Sequence, residues 1–257
     1  MNEGIECVTF DEGQGRPIVF VHGNVSTHAV WKGVVASLMG EFRCISYDLR
    51  GHGATPLPDE RFELDALVAD LERLRNRLGL ERVDLVAHSL GGIITTAYAR
   101  QYPERVRSLS LLATPAFRTA QAMERAVALV ETVRGGGLVP TLRGMASTWY
   151  REEFSSRHPD ALERRLAEII ALDEETVLKS MELTAASEIG PWLESLEIPV
   201  LILTGEFAVG CDASTAGLMH ERVAGSKLIV FEGLKNGILT EIPHVVAEKI
   251  RGFVSAT

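Results

Sequence analysis

The chain of 257 residues has no apolar run near the roughly 20 residues that a bilayer-spanning helix needs, so a membrane partner is not expected. It also lacks a surplus of basic charge. Its 26 Lys and Arg stand against 35 Asp and Glu, a net charge of −9. Binding to a phosphate backbone needs a cationic face, so a nucleic-acid partner is not expected either. Cysteine is scarce: Cys7, Cys44 and Cys211 are widely spaced and form no Cys-x-x-Cys pair. An odd, scattered set argues against a disulfide framework and a structural zinc, and a reduced, cytoplasmic protein is the expectation. The opening MNEGIECVTF has no basic start before an apolar stretch, so a secretion signal is not expected. No set of His, Cys, Asp and Glu has metal-ligand spacing, and no glycine turn forms GxGxxG or a lysine-bearing phosphate loop. Neither a metal nor a cofactor is expected.

What is present suits a large core. Hydrophobic residues make up 46% and charged residues 24% of the chain, a balance that disfavours disorder. Apolar, β-branched runs predict strands within 17–23, 42–53, 82–92, 106–114, 199–205 and 227–233. Between them, residues 61–80 carry apolar positions at helical spacing and stop at Gly79, and the stretch after Gly92 reads as a helix ending near Pro103. Strands buried on both faces and alternating with helices predict an α/β fold with a doubly wound, mostly parallel sheet. The alternation breaks between about 115 and 195, where the pattern is mostly helical, as in 160–185. That is too long for one crossover helix. It predicts a helical cap (116–195) inserted into a core (1–115 and 196–257), above the sheet edge where open α/β sheets bind ligands.

The sequence Ala87-His88-Ser89-Leu90-Gly91-Gly92 lies between a strand and a helix. A tight strand-to-helix turn exposes its central serine above the sheet, and small neighbours relieve the crowding. The Leu90 N–H then lies at a helix N-terminus, where it can stabilise an oxyanion. With this elbow the chain resembles the α/β-hydrolase family, in particular its small capped esterases, enol-lactonases and carbon–carbon bond hydrolases. Ala87 stands where the family usually has glycine. The segments 21–24 (VHGN), 47–53 (YDLRGHG) and 199–243 match as well. The resemblance implies that Ser89 is a nucleophile and that the N–H groups of Leu90 and Asn24 form an oxyanion hole. It implies a structural role for His22, and mainly structural roles for Asp48, Arg50 and His52.

The same resemblance locates the acid and the base, and neither is there. After the fifth predicted strand the family has Gly-Glu-x-Asp, whereas this chain has Gly205-Glu206-Phe207-Ala208. After the sixth it has Gly-x-x-His, whereas this chain has Gly233-Leu234-Lys235-Asn236, with Glu241 and Pro243 in register. Alanine cannot orient an imidazole, and an asparagine amide does not titrate near neutral pH. Hydrolysis is therefore expected to be very weak or absent. Of the possible stand-ins, Glu206 is expected to be structural, Asp212 to cap a helix, and His220 and His244 to sit on helices. His28, just after the oxyanion loop, is the candidate substitute base, because histidine titrates near neutrality. The pocket is expected to draw on His28, His88, Phe117, Met145, Trp149, Tyr150 and Phe154 around a small-molecule substrate.

Two origins fit the double departure. In one, both triad members have been replaced in an otherwise working hydrolase of a small, largely apolar ester, lactone or carbon–carbon bond beside a ketone; the serviceable elbow and oxyanion loop favour it. In the other, the site serves ligand binding, or non-hydrolytic lyase or cyclase chemistry around Ser89 and the oxyanion hole.

Overall fold

The computed structural model describes residues 4–57 and 62–257. Seven strands, β1 (Thr9–Glu12), β2 (Arg16–Val21), β3 (Phe42–Tyr47), β4 (Val83–His88), β5 (Val106–Leu112), β6 (Val200–Gly205) and β7 (Lys227–Phe231), form one sheet in the order β1-β3-β2-β4-β5-β6-β7. All six predicted strands are present. β1 is an addition, an antiparallel edge strand paired with β3, while the other neighbours run parallel. Its sequence, TFDE, is short and half-exposed, so it carries none of the apolar run that marks a buried strand.

The alternation of side chains along each strand divides the core into two layers. Val19, Val21, Leu85 and Ala87 pack on one face with helices α2 (Leu64–Arg77) and α3 (Leu90–Gln101). Ile18, Phe20 and Val86 pack on the other with α1 (Lys32–Leu38) and the C-terminal helix. In α2, Leu67, Leu71 and Leu74 form the single buried stripe that helical spacing predicts, although its predicted first residue, Arg61, lies outside the described residues.

Between β5 and β6 the chain makes α4 (Ala120–Gly136), α5 (Leu138–Gly144), α6 (Glu152–Arg157), α7 (Ala161–Ile170), α8 (Glu174–Ala186) and α9 (Gly190–Leu193). The helical pattern over 160–185 is two helices, because Asp173 accepts the Thr176 N–H at 2.8 Å and starts α8 afresh. This insertion has its own apolar cluster, including Val130, Val133, Leu142, Leu166, Ile169 and Val177. After β6 come α10 (Ala213–Arg222), α11 (Ile238–Glu241) and α12 (Pro243–Val254), whose Pro243 suits a first helical turn. Among the described residues no helix is long and apolar enough to cross a membrane.

Candidate active site

β4 runs into α3 through a single residue. Ser89 has φ 51° and ψ −116°, a conformation that side-chain-bearing residues adopt only when the surroundings impose it. The imposition is visible. The Ser89 N–H donates to the Leu112 carbonyl at 2.9 Å, and the Ser89 carbonyl accepts the Gly92 N–H at 2.9 Å. The end of β2 presses on the turn from the other side. A Cβ on Gly91 would lie 2.3 Å from the Val21 carbonyl oxygen, and one on Gly23 would lie 2.9 Å from the Ser89 Cβ. Both positions need glycine for this close approach. Leu90 opens α3, so its N–H has no partner within the helix.

The facing loop is held at its root by His22. This buried ring donates from Nδ1 to the Gly23 carbonyl at 2.9 Å and accepts the Leu49 N–H on Nε2 at 3.0 Å. Burial, followed by repulsion from His52, pushes its pKa down to about 3, so the ring is neutral. The neighbouring loop is equally committed to structure. Asp48 accepts the His28 and Ala54 N–H groups at 2.8 and 3.0 Å, Arg50 forms two 2.7 Å bonds to Asp70, and His52 Nδ1 lies 3.2 Å from the Arg50 carbonyl. Asn24 follows Gly23 in the facing loop. Its Nδ2 donates to Thr184 Oγ1 at 2.8 Å, while its Oδ1 is buried without a partner among the described residues.

The two positions where the resemblance implies an acid and a base meet. Ala208 is buried in the turn after β6, and its N–H donates to the Gly205 carbonyl at 3.1 Å. The next N–H, of Val209, donates to Asn236 Oδ1 at 2.7 Å. Glu206 accepts the Gly233 N–H at 2.9 Å and Phe207 donates to the Leu234 carbonyl at 2.9 Å, so the two loops are stitched in fixed register. Asp212 caps α10 by accepting the Thr215 N–H at 2.8 Å. Glu206 and Asp212 thus have the structural placements expected of them, and His220 and His244 lie on α10 and α12.

Two cavities flank Ser89. The smaller, about 400 Å³, is walled by Asn24, His88, Ser89, Trp149, Tyr150 and Asn236, joined by Arg165 and Glu168 from α7. The larger, about 920 Å³, runs from Ser89 past Phe117 and Thr184 to Val209 and the start of α10. Of the residues expected in the pocket, His88, Phe117, Trp149 and Tyr150 are brought to Ser89, and three are not. His28 is off both cavities: its ring stacks on Phe10 with centroids 3.4 Å apart, and Nδ1 sits 2.8 Å from Asp48 Oδ1. It is held by Phe10 and the Asp48 carboxylate, lines neither cavity and is not placed to serve Ser89 as a base. Met145 packs into the insertion's own cluster, and Phe154 packs against Tyr150 and His158 on α6.

Arg165 and Glu168 were not foreseen. In ALERRLAEII nothing distinguishes Arg165 from Arg164, since only the docking of α7 decides which faces inward. His88 is more exceptional. Both its ring nitrogens are buried and unpartnered among the described residues, and burial, assisted by the nearby Arg165 charge, pushes its pKa down to about 4. It is a neutral imidazole in the wall of the cavity. As a set, these groups give Ser89 a cavity wall with several polar side chains, in which Asn236 stands where the resemblance implies a base.

Comparison with known proteins agrees with this geometry. The family described as alpha/beta hydrolase fold matches residues 16–207. A 3-oxoadipate enol-lactonase of Acinetobacter baylyi is 25% identical over 229 residues, 89% of this chain and 85% of its own. A thermophilic esterase from Thermogutta terrifontis superposes with a TM-score of 0.88 at 27% identity, covering 97% of this chain and 93% of that one. An enol-lactonase from Burkholderia xenovorans LB400 superposes with a TM-score of 0.87 over 97% and 96% of the two chains; at 20% identity it speaks for the fold alone.

Proposed function

The chain belongs to the alpha/beta hydrolase family, and within it we propose a serine-hydrolase scaffold whose catalysis is disabled at two positions. Its substrate would be a small, largely apolar ester, lactone or carbon–carbon bond beside a ketone, bound beneath the insertion acting as a cap. The hydrogen bond from the Val209 N–H to Asn236 Oδ1 carries this reading. It joins the acid and base loops beside Ser89, so a histidine at 236 and an aspartate at 208 would stand next to each other and next to the serine. The similarity to an esterase and an enol-lactonase supports the substrate class.

In the complete site, the base takes the Ser89 proton as Oγ attacks the carbonyl carbon. The N–H groups of Leu90 and Asn24 hold the oxyanion, the protonated base hands its proton to the leaving group, and water repeats the cycle on the acyl-serine. In this chain the first transfer lacks its usual acceptor. Asn236 does not titrate near neutrality, and its oxygen is engaged by Val209. The test compares hydrolysis of a short-chain p-nitrophenyl ester by the chain and by its Ala208→Asp, Asn236→His variant. We expect a silent chain and a variant faster by at least roughly 10³-fold. Silence of both, with the variant folded, across an ester and lactone panel would sink the proposal.

A second reading is favoured by one specific observation: the His88 ring nitrogens and Asn24 Oδ1 are unpartnered in the cavity wall. Buried polar atoms are normally satisfied, so these suit a bound polar ligand. A pseudohydrolase of this kind would bind ligand without turnover and gain nothing from the two reversions.

A further inference from the structure

Val25 follows the proposed oxyanion residue and has φ 54°. A β-branched residue is disfavoured in this left-handed region, and a free loop would relax to extended backbone. Two contacts on Val25 and one on the preceding Asn24 hold it, and all three come from the insertion. The Arg165 guanidinium on α7 donates to the Val25 carbonyl, while its other arm lies 3.3 Å from Glu168. The Val25 side chain packs against the insertion's apolar cluster. One residue earlier, Asn24 Nδ2 donates to Thr184 Oγ1 on α8 at 2.8 Å. The Thr184 hydroxyl is itself spent on the Ser180 carbonyl at 2.9 Å, so Thr184 can only accept from Asn24, which fixes the orientation of that carboxamide.

We propose that Arg165 and Thr184 are positioning residues for the oxyanion hole, holding the Asn24–Val25 backbone in the geometry that presents the Asn24 N–H beside Ser89. The hole is then divided between two bodies. Leu90 N–H belongs to the elbow of the core, and Asn24 N–H is set by the insertion. Both donors are in place only while the insertion is seated on the sheet, so a substrate that holds it there completes the hole it needs. This rests on the assignment of Asn24 to the oxyanion hole, made above.

The test has a structural and a kinetic arm. Crystal structures of Arg165→Met and of Arg165→Met, Thr184→Val should show Val25 at negative φ and the Asn24 peptide turned, with β2 and β4 unmoved. Val25 remaining at positive φ in the double variant would overturn the proposal. In the chain restored by Ala208→Asp and Asn236→His, Arg165→Met should lower kcat roughly 10- to 100-fold with KM nearly unchanged, because a displaced donor is felt mainly in the transition state. Arg165→Lys, which keeps a donor, should recover most of the loss. A raised KM with intact kcat would make Arg165 a substrate contact and overturn the positioning role. If the restored chain is silent, the proposed function fails, while the Val25 backbone still decides this inference.

Discussion

His88 sits beside the candidate nucleophile with neither ring nitrogen bonded among the described residues, and its environment keeps it neutral down to about pH 4. In the unfolded chain the same ring takes up a proton near pH 6.5. The unfolded state therefore binds more protons between those two values, and stability rises with pH across the window. The contribution is complete above about pH 6.5 and is lost as pH falls toward about 4. Between pH 6.5 and pH 5 one such ring costs roughly 2 kcal/mol. His22, neutral down to about pH 3, adds a loss of the same sign. Urea unfolding at pH 7 and pH 5 should show the drop, and His88→Gln should remove a part of it comparable to one ring. An unchanged pH dependence in that variant would mean that the ring is solvated in the folded state.

At the level of elements, the loop after β3 is tied to helix α2 by a buried ion pair. Arg50 Nε and Nη2 each lie 2.7 Å from an Asp70 oxygen, and Asp70 also accepts the Ile5 N–H at 2.7 Å. One carboxylate thus joins the N-terminal segment, the β3 exit and α2. Such a pair contributes little against an apolar replacement, but removing Asp70 takes a two-point carboxylate contact from a buried guanidinium and leaves the Ile5 N–H without its acceptor. Asp70→Ala should therefore cost about 3–5 kcal/mol in denaturant unfolding, well beyond the effect of a surface substitution. Removing Asp11, which pairs with Arg43 on the half-exposed β1–β3 edge, should cost at most about 1 kcal/mol.

Across the whole molecule, the two-layer core encloses all three cysteines. Burial pushes the Cys44 and Cys211 thiols up to about 12 and raises Cys7 as well. The thiolate is the reactive form, so an aromatic disulfide reagent at pH 8 should label none of the three in the folded protein and all three in urea. Fast labelling of one thiol before unfolding would reveal a local opening of the core around it.

The sheet was legible because periodicity is a local property. Six runs such as PIVFV and PVLIL carry strand character in their own residues, and Ser89 declared itself through small neighbours that a sharp turn requires. Ala208 and Asn236 could be located for the same reason, since each lies at a fixed offset from a strand end. The walls of the site were not. His28 and His88 are both histidines near a motif, yet one is turned onto Phe10 and Asp48 and the other into the cavity. Arg165 is 140 residues from the carbonyl it holds, on a helix whose sequence marks only which face is apolar. The sequence by itself therefore determined the strands and the elbow. Tertiary packing alone decided what surrounds Ser89, because the direction a side chain faces depends on the docking of distant elements.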